Sequence, residues 1–344
     1  MRPVHERFLL AIALLGLSAS TAPGAAGTLI VLNKSDATAS LIDLKAGKVV
    51  ATLPTGRQPH EAAVSPDGKQ VIATNYGTRE LAGSTLTVID VPQRRVVKTI
   101  EVGAGRRPHG VLFLDKRRAL VTAEGSQALL IVDAMKGVVA AEIPTAQAVS
   151  HMVAASSDGK RAFVTNIGSG TVTAIDLAAR KVLAHVATGE GAEGVAVTPN
   201  GKEVWVTNRA ADTVSVLDAT SLRVVATLPS AAFPIRVAMT PDGRRALVSN
   251  ARSGDVAVFD VAARKEIARM RAPLEARSSE GRLLSFAGST PIGVLIHQDG
   301  KKAYVAHANA DAIAVFDLAK LEFAGTLPAG REPDGMALSP LPRD

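Results

Sequence analysis

Short apolar runs rich in Val, Ile, Ala and Thr, each closed by a polar residue, recur along this chain. Five of them end in Asn: Leu29–Asn33, Gln70–Asn75, Ala162–Asn166, Glu203–Asn208 and Ala246–Asn250. Two more share the apolar spelling but end at Ala123 and His307. The seven end points are spaced by 42, 48, 43, 42, 42 and 57 residues. An Asp follows ten residues later in six copies and fifteen later in the second, as Asp43, Asp90, Asp133, Asp176, Asp218, Asp260 and Asp317. Turns such as Pro66-Asp67-Gly68, Pro199-Asn200-Gly201 and Pro241-Asp242-Gly243 precede the run in most copies. Self-similarity at such a period marks a repeat architecture.

Each unit reads as four short strands. In the fourth they are expected at His151–Ser156, Arg161–Asn166, Thr171–Leu177 and Lys181–Ala187, with turn residues between them. Four strands in about 42 residues is the content of one propeller blade. The expected fold class is all-β: a seven-bladed β-propeller of four-stranded antiparallel blades. The chain starts on a strand that matches the second of a blade (Thr28–Asn33) and ends on one that matches the first (Gly335–Ser339). The ring is therefore expected to close with N- and C-terminal strands sharing one blade.

Phe163-Val164-Thr165-Asn166 and Trp205-Val206-Thr207-Asn208, each followed by an Ile-Asp or Leu-Asp strand end, and the SPDG at 65–68 carry a family likeness. In these motifs the chain resembles the YVTN-repeat family of seven-bladed propellers, which includes YncE-like proteins and relatives of the haem d1 propellers. The resemblance covers nearly all of residues 28–344. It implies the fold far more than an activity, because a propeller hosts many functions. The repeated Asn and Asp are expected to serve the turns rather than chemistry.

The N-terminus breaks the repeat. Arg2 and Arg7 precede an apolar run from Phe8 to Leu17, and a small-residue stretch follows to Gly27. Residues 1–27 therefore read as a secretory signal peptide, too short in its apolar part to span a membrane. The expected destination is periplasmic or secreted. Loss of Arg2, Arg7 and Glu6 takes the net charge from +7 to +6. The absence of cysteine excludes disulfides, thiolate metal sites and cysteine nucleophiles. Aromatic residues make up only 3%, which counts against a nucleic-acid stacking surface.

Candidate chemistry lies where the copies depart from one another. The residue opening the first strand of each unit follows Pro in five of seven copies. Around the ring it is His60, His109, His151, Glu193, Ile235, Ile292 and Asp334. First strands line the channel of a propeller, so these side chains are expected to converge at its mouth. His307 replaces a consensus Asn, Glu124 follows another lost Asn, and Arg57, Arg107 and Arg331 lie close by in sequence. Two insertions, Tyr76–Ser84 and a longer one near Arg271–Ser289, are expected on the same face. Imidazole and carboxylate ligands suit a divalent transition metal, here through His60, His109 and His151.

The expectation is an exported, monomeric propeller that binds a small ligand, a metal or a protein on this face. Two alternatives stay open. One is a metal-assisted lyase or lactonase-type hydrolase using the same residues. The other is a basic DNA-binding propeller, disfavoured by the scarcity of aromatic residues.

Overall fold

In a computed structural model, residues 26–277, 286 and 288–341 are described. The signal-peptide reading falls almost wholly on residues outside that set, as does the centre of the insertion near Arg271–Ser289. The described residues form seven four-stranded antiparallel sheets. Each holds a consecutive run of four strands, with one exception. The first blade pairs the strand Pro333–Ser339 with Thr28–Asn33, so the two ends of the chain close the ring. The fourth unit comprises Ser150–Ala155, Arg161–Asn166, Thr171–Asp176 and Lys181–Ala187, within a residue of the expected bounds.

Packing explains the residue pattern. The second and third strands of a blade are covered on both sides by neighbouring blades, so they are buried almost throughout, as at Val204–Asn208. The fourth strand lies at the rim and alternates between exposed and half-buried, as in Lys181–Ala187. Among the described residues the apolar core is accordingly divided into seven clusters that each join two adjacent blades and an eighth, smaller one around Ile235 and Ile292. Trp205 and Phe259, with ring centroids 6.0 Å apart, fill the cluster between the fifth and sixth blades.

Two repeated polar positions hold this frame. The Oδ1 of each strand-ending Asp accepts backbone N–H groups in the turn to the fourth strand, as Asp43 does from Lys45 and Ala46 and Asp218 from Thr220 and Ser221. The consensus Asn is buried and in four of its five copies donates to two hydroxyls of the third strand, while Asn250 donates to the Asp255 carboxylate. Asn75 bonds Thr85 and Thr87 across the longer hairpin of the second blade. Asn33, Asn166 and Asn208 each bond the pair at the ordinary spacing. The two copies without Asn have also lost those hydroxyls, with Ala128 and Leu130 in one and Ala312 and Ala314 in the other.

The first strands are the ones that position a site. Every one of them carries a register shift just after its start. Two residues, such as His60 and Glu61, face a single partner, which re-aims the strand toward the axis. The Thr of the VTN motif serves the bulge from the second strand. Thr74 Oγ1 receives the Glu61 N–H at 3.0 Å and donates to the His109 carbonyl of the next blade at 2.7 Å. Thr122 and Thr165 repeat this with His151 and Glu193. At four of seven second bulge positions the residue is Gly, because adjacent inner strands pass so close. A Cβ at Gly194 would sit 2.4 Å from the Ile235 carbonyl oxygen.

The inner strands all start at one end of the disc, called here the mouth face. The Pro-Asp-Gly-type turns and the turns into the fourth strands lie at the other end, the turn face. A Cβ at Gly201 would lie 3.0 Å from Ser157 Oγ and one at Gly243 3.4 Å from Pro199, so successive turns abut around that face. No helix among the described residues is long and apolar enough to cross a membrane.

Candidate functional site

The mouth face holds a cavity of about 320 Å³. It is built from two rings of positions. The first is the start of each inner strand, which contributes His60, His109, His151, Glu193 and Asp334, with Ile235 and Ile292 as an apolar arc. The second is the residue that follows the strand-ending Asn or its replacement: Lys34, Tyr76, Glu124, Ile167 and Arg209. Arg236, at a second bulge position, closes the floor.

The three histidines are stacked in order. The rings of His60 and His109 have centroids 4.9 Å apart, and those of His109 and His151 3.7 Å. Tyr76 leans on His60 at 4.6 Å and meets His109 edge-on at 5.5 Å. The Tyr76–Ser84 insertion makes this possible by lengthening the hairpin to Gln70–Gly77 and Ala82–Asp90. Gly83 is required there, since a Cβ would fall 1.9 Å from the Asn75 carbonyl oxygen.

Hydrogen bonds set the free nitrogens. His60 Nδ1 lies 2.8 Å from the Gln58 carbonyl, so it carries the proton and leaves Nε2 with the lone pair. His151 Nδ1 contacts Glu124 Oε1 at 2.5 Å, and Tyr76 Oη donates to Glu124 Oε2 at 2.6 Å. His151 Nε2 is 3.5 Å from Glu193 Oε1 without forming a hydrogen bond. His109 Nδ1 and Asp334 Oδ1 are also buried without a partner. His109, Glu124 and His151 each offer an atom within 4.8 Å of the others.

Electrostatics divides the histidines. Burial, helped by the Lys34 charge, brings His60 down to about 4. Burial and the neighbouring imidazoles hold His109 well below the ordinary range. Burial acts the same way on His151, but its hydrogen bond with Glu124 and its charge pairing with Glu124 and Glu193 outweigh it and raise His151. Burial would raise Glu193, yet His151, Arg209 and Arg236 bring it down to about 2. These surroundings thus favour the neutral form of His60 and His109 and the cationic form of His151. The other cations are matched locally. Lys34 Nζ sits 3.3 Å from Glu332 and 3.2 Å from Asp334, and Arg209 is 2.9 Å from Glu193.

Four of the sequence candidates stand apart. Arg57 is exposed and outside the cavity. Arg331 is held at the rim by Asp36, at 2.6 Å. Arg107 lies over the outer face of Tyr76, 5.2 Å from its centroid, and supports the site without lining it. His307 does not join Asp334. It stays in the slot of the Asn it replaces, against Pro291 and Ala312, and burial brings it down to about 4. Lys34, Glu61, Tyr76, Arg209 and Arg236 lay outside the sequence-based set. Their signal was present, because the residue after each VTN-like run is Lys, Tyr, Glu, Ile, Arg, Ala and Ala around the ring, as variable as the first-strand position.

A family model for the YNCE-like beta-propeller matches residues 11–119. The chain is thus similar to the YNCE-like propellers. A second model, for the cytochrome D1 heme domain, matches residues 114–239. No curated protein sequence matches the chain significantly. Among solved structures, a functionally unknown protein from Desulfotomaculum acetoxidans DSM 771 superposes with a TM-score of 0.74 at 15% identity, covering 92% of this chain and 100% of that one. At that identity the likeness concerns the fold, and it agrees with the seven four-stranded blades of this YNCE-like chain.

Proposed function

We propose that this chain is an exported binding protein whose mouth cavity takes a divalent transition-metal ion at its histidine cluster of His60, His109 and His151, where His109 and His151 converge with Glu124 to within 4.8 Å and His60 lies beside His109. The observation that carries the reading is the convergence of His109, Glu124 and His151 donor atoms within 4.8 Å of one another, beside two buried polar atoms without a hydrogen-bond partner, His109 Nδ1 and Asp334 Oδ1. Buried polar atoms are almost always satisfied, so such a set points to a partner that the protein itself does not supply. The supporting bonds are of the kind that orient metal-binding imidazoles: a backbone carbonyl on His60 Nδ1 and a carboxylate on His151 Nδ1. Nitrogen and oxygen donors without thiolate suit zinc, nickel, copper or iron. The Ile235–Ile292 arc leaves an apolar wall for a small ligand beside the ion.

The cytochrome D1 model's name raises a tetrapyrrole. The residues present do not fit one within the cavity. Its volume is at the low end of small-molecule sites, roughly 300–1,000 Å³. Its floor is closed by Arg236 and its side is occupied by Tyr76 packed on His60.

Titration of the metal-free protein with zinc and nickel, followed by calorimetry and by metal analysis after gel filtration, tests the proposal. One ion per chain is expected. His60→Ala, His109→Ala and His151→Ala should each weaken binding, and all three together should abolish it. A metal-bound imidazole must give up its proton, and the surroundings of His151 favour its cationic form, so uptake should release a proton and strengthen as pH rises. Binding that survives the triple substitution, or no binding at all, would overturn the reading. Turnover of lactones or esters by the loaded protein, lost with His151→Ala, would extend it to metal-assisted hydrolysis.

A further inference from the structure

The net charge of the chain is carried by one face of the disc. The six turns from first to second strand, at 65–70, 114–118, 156–161, 198–203, 240–245 and 297–302, hold eleven Lys and Arg against six Asp and Glu. The seven turns into the fourth strands, at 43–48, 90–95, 133–138, 176–181, 218–223, 260–265 and 317–322, hold eleven against eight. Both sets lie on the turn face. They are tied together there by Arg161 to the Ala219 carbonyl at 2.7 Å and Arg245 to the Leu318 carbonyl at 2.5 Å. Those two contacts are to carbonyl oxygens and bring no carboxylate to either guanidinium. The described residues of the mouth face carry eleven basic against twelve acidic side chains.

Side-chain reach accentuates the difference. The Asp side chains of the turns fold back onto backbone N–H groups, as Asp242 does onto Arg244 and Asp67 onto Lys69. The basic side chains extend outward, with Lys160 80% and Arg244 85% exposed even though Asp158 and Asp242 lie 3.8 and 3.9 Å from their charged nitrogens. A second feature adjoins this face. Among the described residues, the exposed large hydrophobics Val49, Val97, Val138, Leu183, Val224, Val225 and Ile267 lie at the ends of the outer strands next to it and Met135 lies in one of its turns, while Leu81 alone lies in the mouth-face insertion. The face is thus a flat basic surface with an aliphatic margin.

We propose that the turn face docks on an anionic lipid bilayer, leaving the histidine cavity pointing away from the membrane. Lys and Arg on one flat face engage many headgroups at once, and each adds to the attraction of an anionic leaflet. The aliphatic margin can enter the headgroup–acyl boundary, as the apolar side of interfacial proteins does. A nucleic acid would find the charge but, among the described residues, no exposed aromatic ring for its bases. The inference is independent of whether the cavity holds a metal.

Co-sedimentation with vesicles tests it. The full mature chain should pellet with phosphatidylglycerol–phosphatidylcholine vesicles, stay in solution with phosphatidylcholine alone, and be released by added salt. The variant Lys202→Glu, Arg244→Glu, Lys301→Glu, altered on three consecutive blades, should lose roughly tenfold or more of its vesicle affinity. Arg57→Glu, Arg79→Glu, Arg277→Glu on the mouth face should bind as the parent does, and thermal melting should show both variants folded. No pelleting at low salt overturns the proposal, as does equal loss in the two variants. Retention of single-stranded DNA without retention of vesicles would also overturn it.

Discussion

Arg236 on the sixth blade reaches across the channel to Glu61 on the second, 175 residues away in the chain, and donates to its Oε1 from Nη2 at 2.5 Å and from Nε at 3.1 Å. Its Nη1 donates to Glu193 Oε1 at 3.1 Å. All three side chains are buried. Each sits on an inner-strand bulge, so the pairing plugs the channel under the histidine cavity. It also joins strands that share no sheet.

Removing one member of a buried ion pair strands its partner in a low-dielectric site. Arg236→Ala should therefore destabilise the protein by about 3–5 kcal/mol. Glu61→Leu added to it should recover part of that loss, since the stranded carboxylate goes too. Thermal melts of the two single variants and the double variant check this. Strict additivity would show that the residues do not act together.

The Asn positions make a prediction about repeats. Asn166→Ala should cost about 1–3 kcal/mol, because it leaves Thr171 and Thr173 short of a buried partner. Restoring the consensus in the seventh blade should behave differently. His307→Asn alone should give no gain, for Ala312 and Ala314 offer no hydroxyl to the amide. His307→Asn with Ala312→Thr and Ala314→Thr should be more stable than His307→Asn alone, as read from urea unfolding midpoints.

Stability should fall as pH drops from about 6.5 to 4. His60 and His307 are brought down to about 4 in the folded protein. An unfolded histidine titrates near 6.5. Between those values the unfolded chain binds protons that the native chain refuses, so acid favours unfolding. Each group accounts for on the order of 3 kcal/mol once pH reaches 4, and His109 acts in the same direction. His151 has the opposite sign. Its contribution is complete below the ordinary histidine value and lost as pH rises through its raised one. Glu193 contributes above the ordinary carboxylate range and is lost only toward pH 2. Melting temperatures between pH 7 and 4 should show the decline, and His307→Leu should flatten it. A level profile would contradict these assignments.

Much of this was legible along the chain because a propeller is a local repeat. Strand, turn and end residue recur every 42 residues or so, each strand pairs with its sequence neighbour, and the end strands of the first blade match the missing halves of a unit. Periodicity also brought His60, His109, His151, Glu193 and Asp334 to one mouth, since equivalent positions in a ring share one height. It served less well for Arg57, Arg107, Arg331 and His307. For these, sequence nearness stood in for side-chain direction, and the bulge and turn geometry directs them elsewhere.

The sequence by itself determined the seven blades, their closure through the two ends and the first ring of cavity residues, because these follow from repeat length and position within the repeat. Tertiary structure alone decided the rest: the Glu61–Arg236 pair, the second ring of Lys34, Tyr76 and Arg209, the carboxylates that raise His151, and the gathering of positive charge on the turn face. Each depends on what faces a side chain across the channel or across a blade boundary. Those distances are set by closing the ring and have no counterpart in separation along the chain.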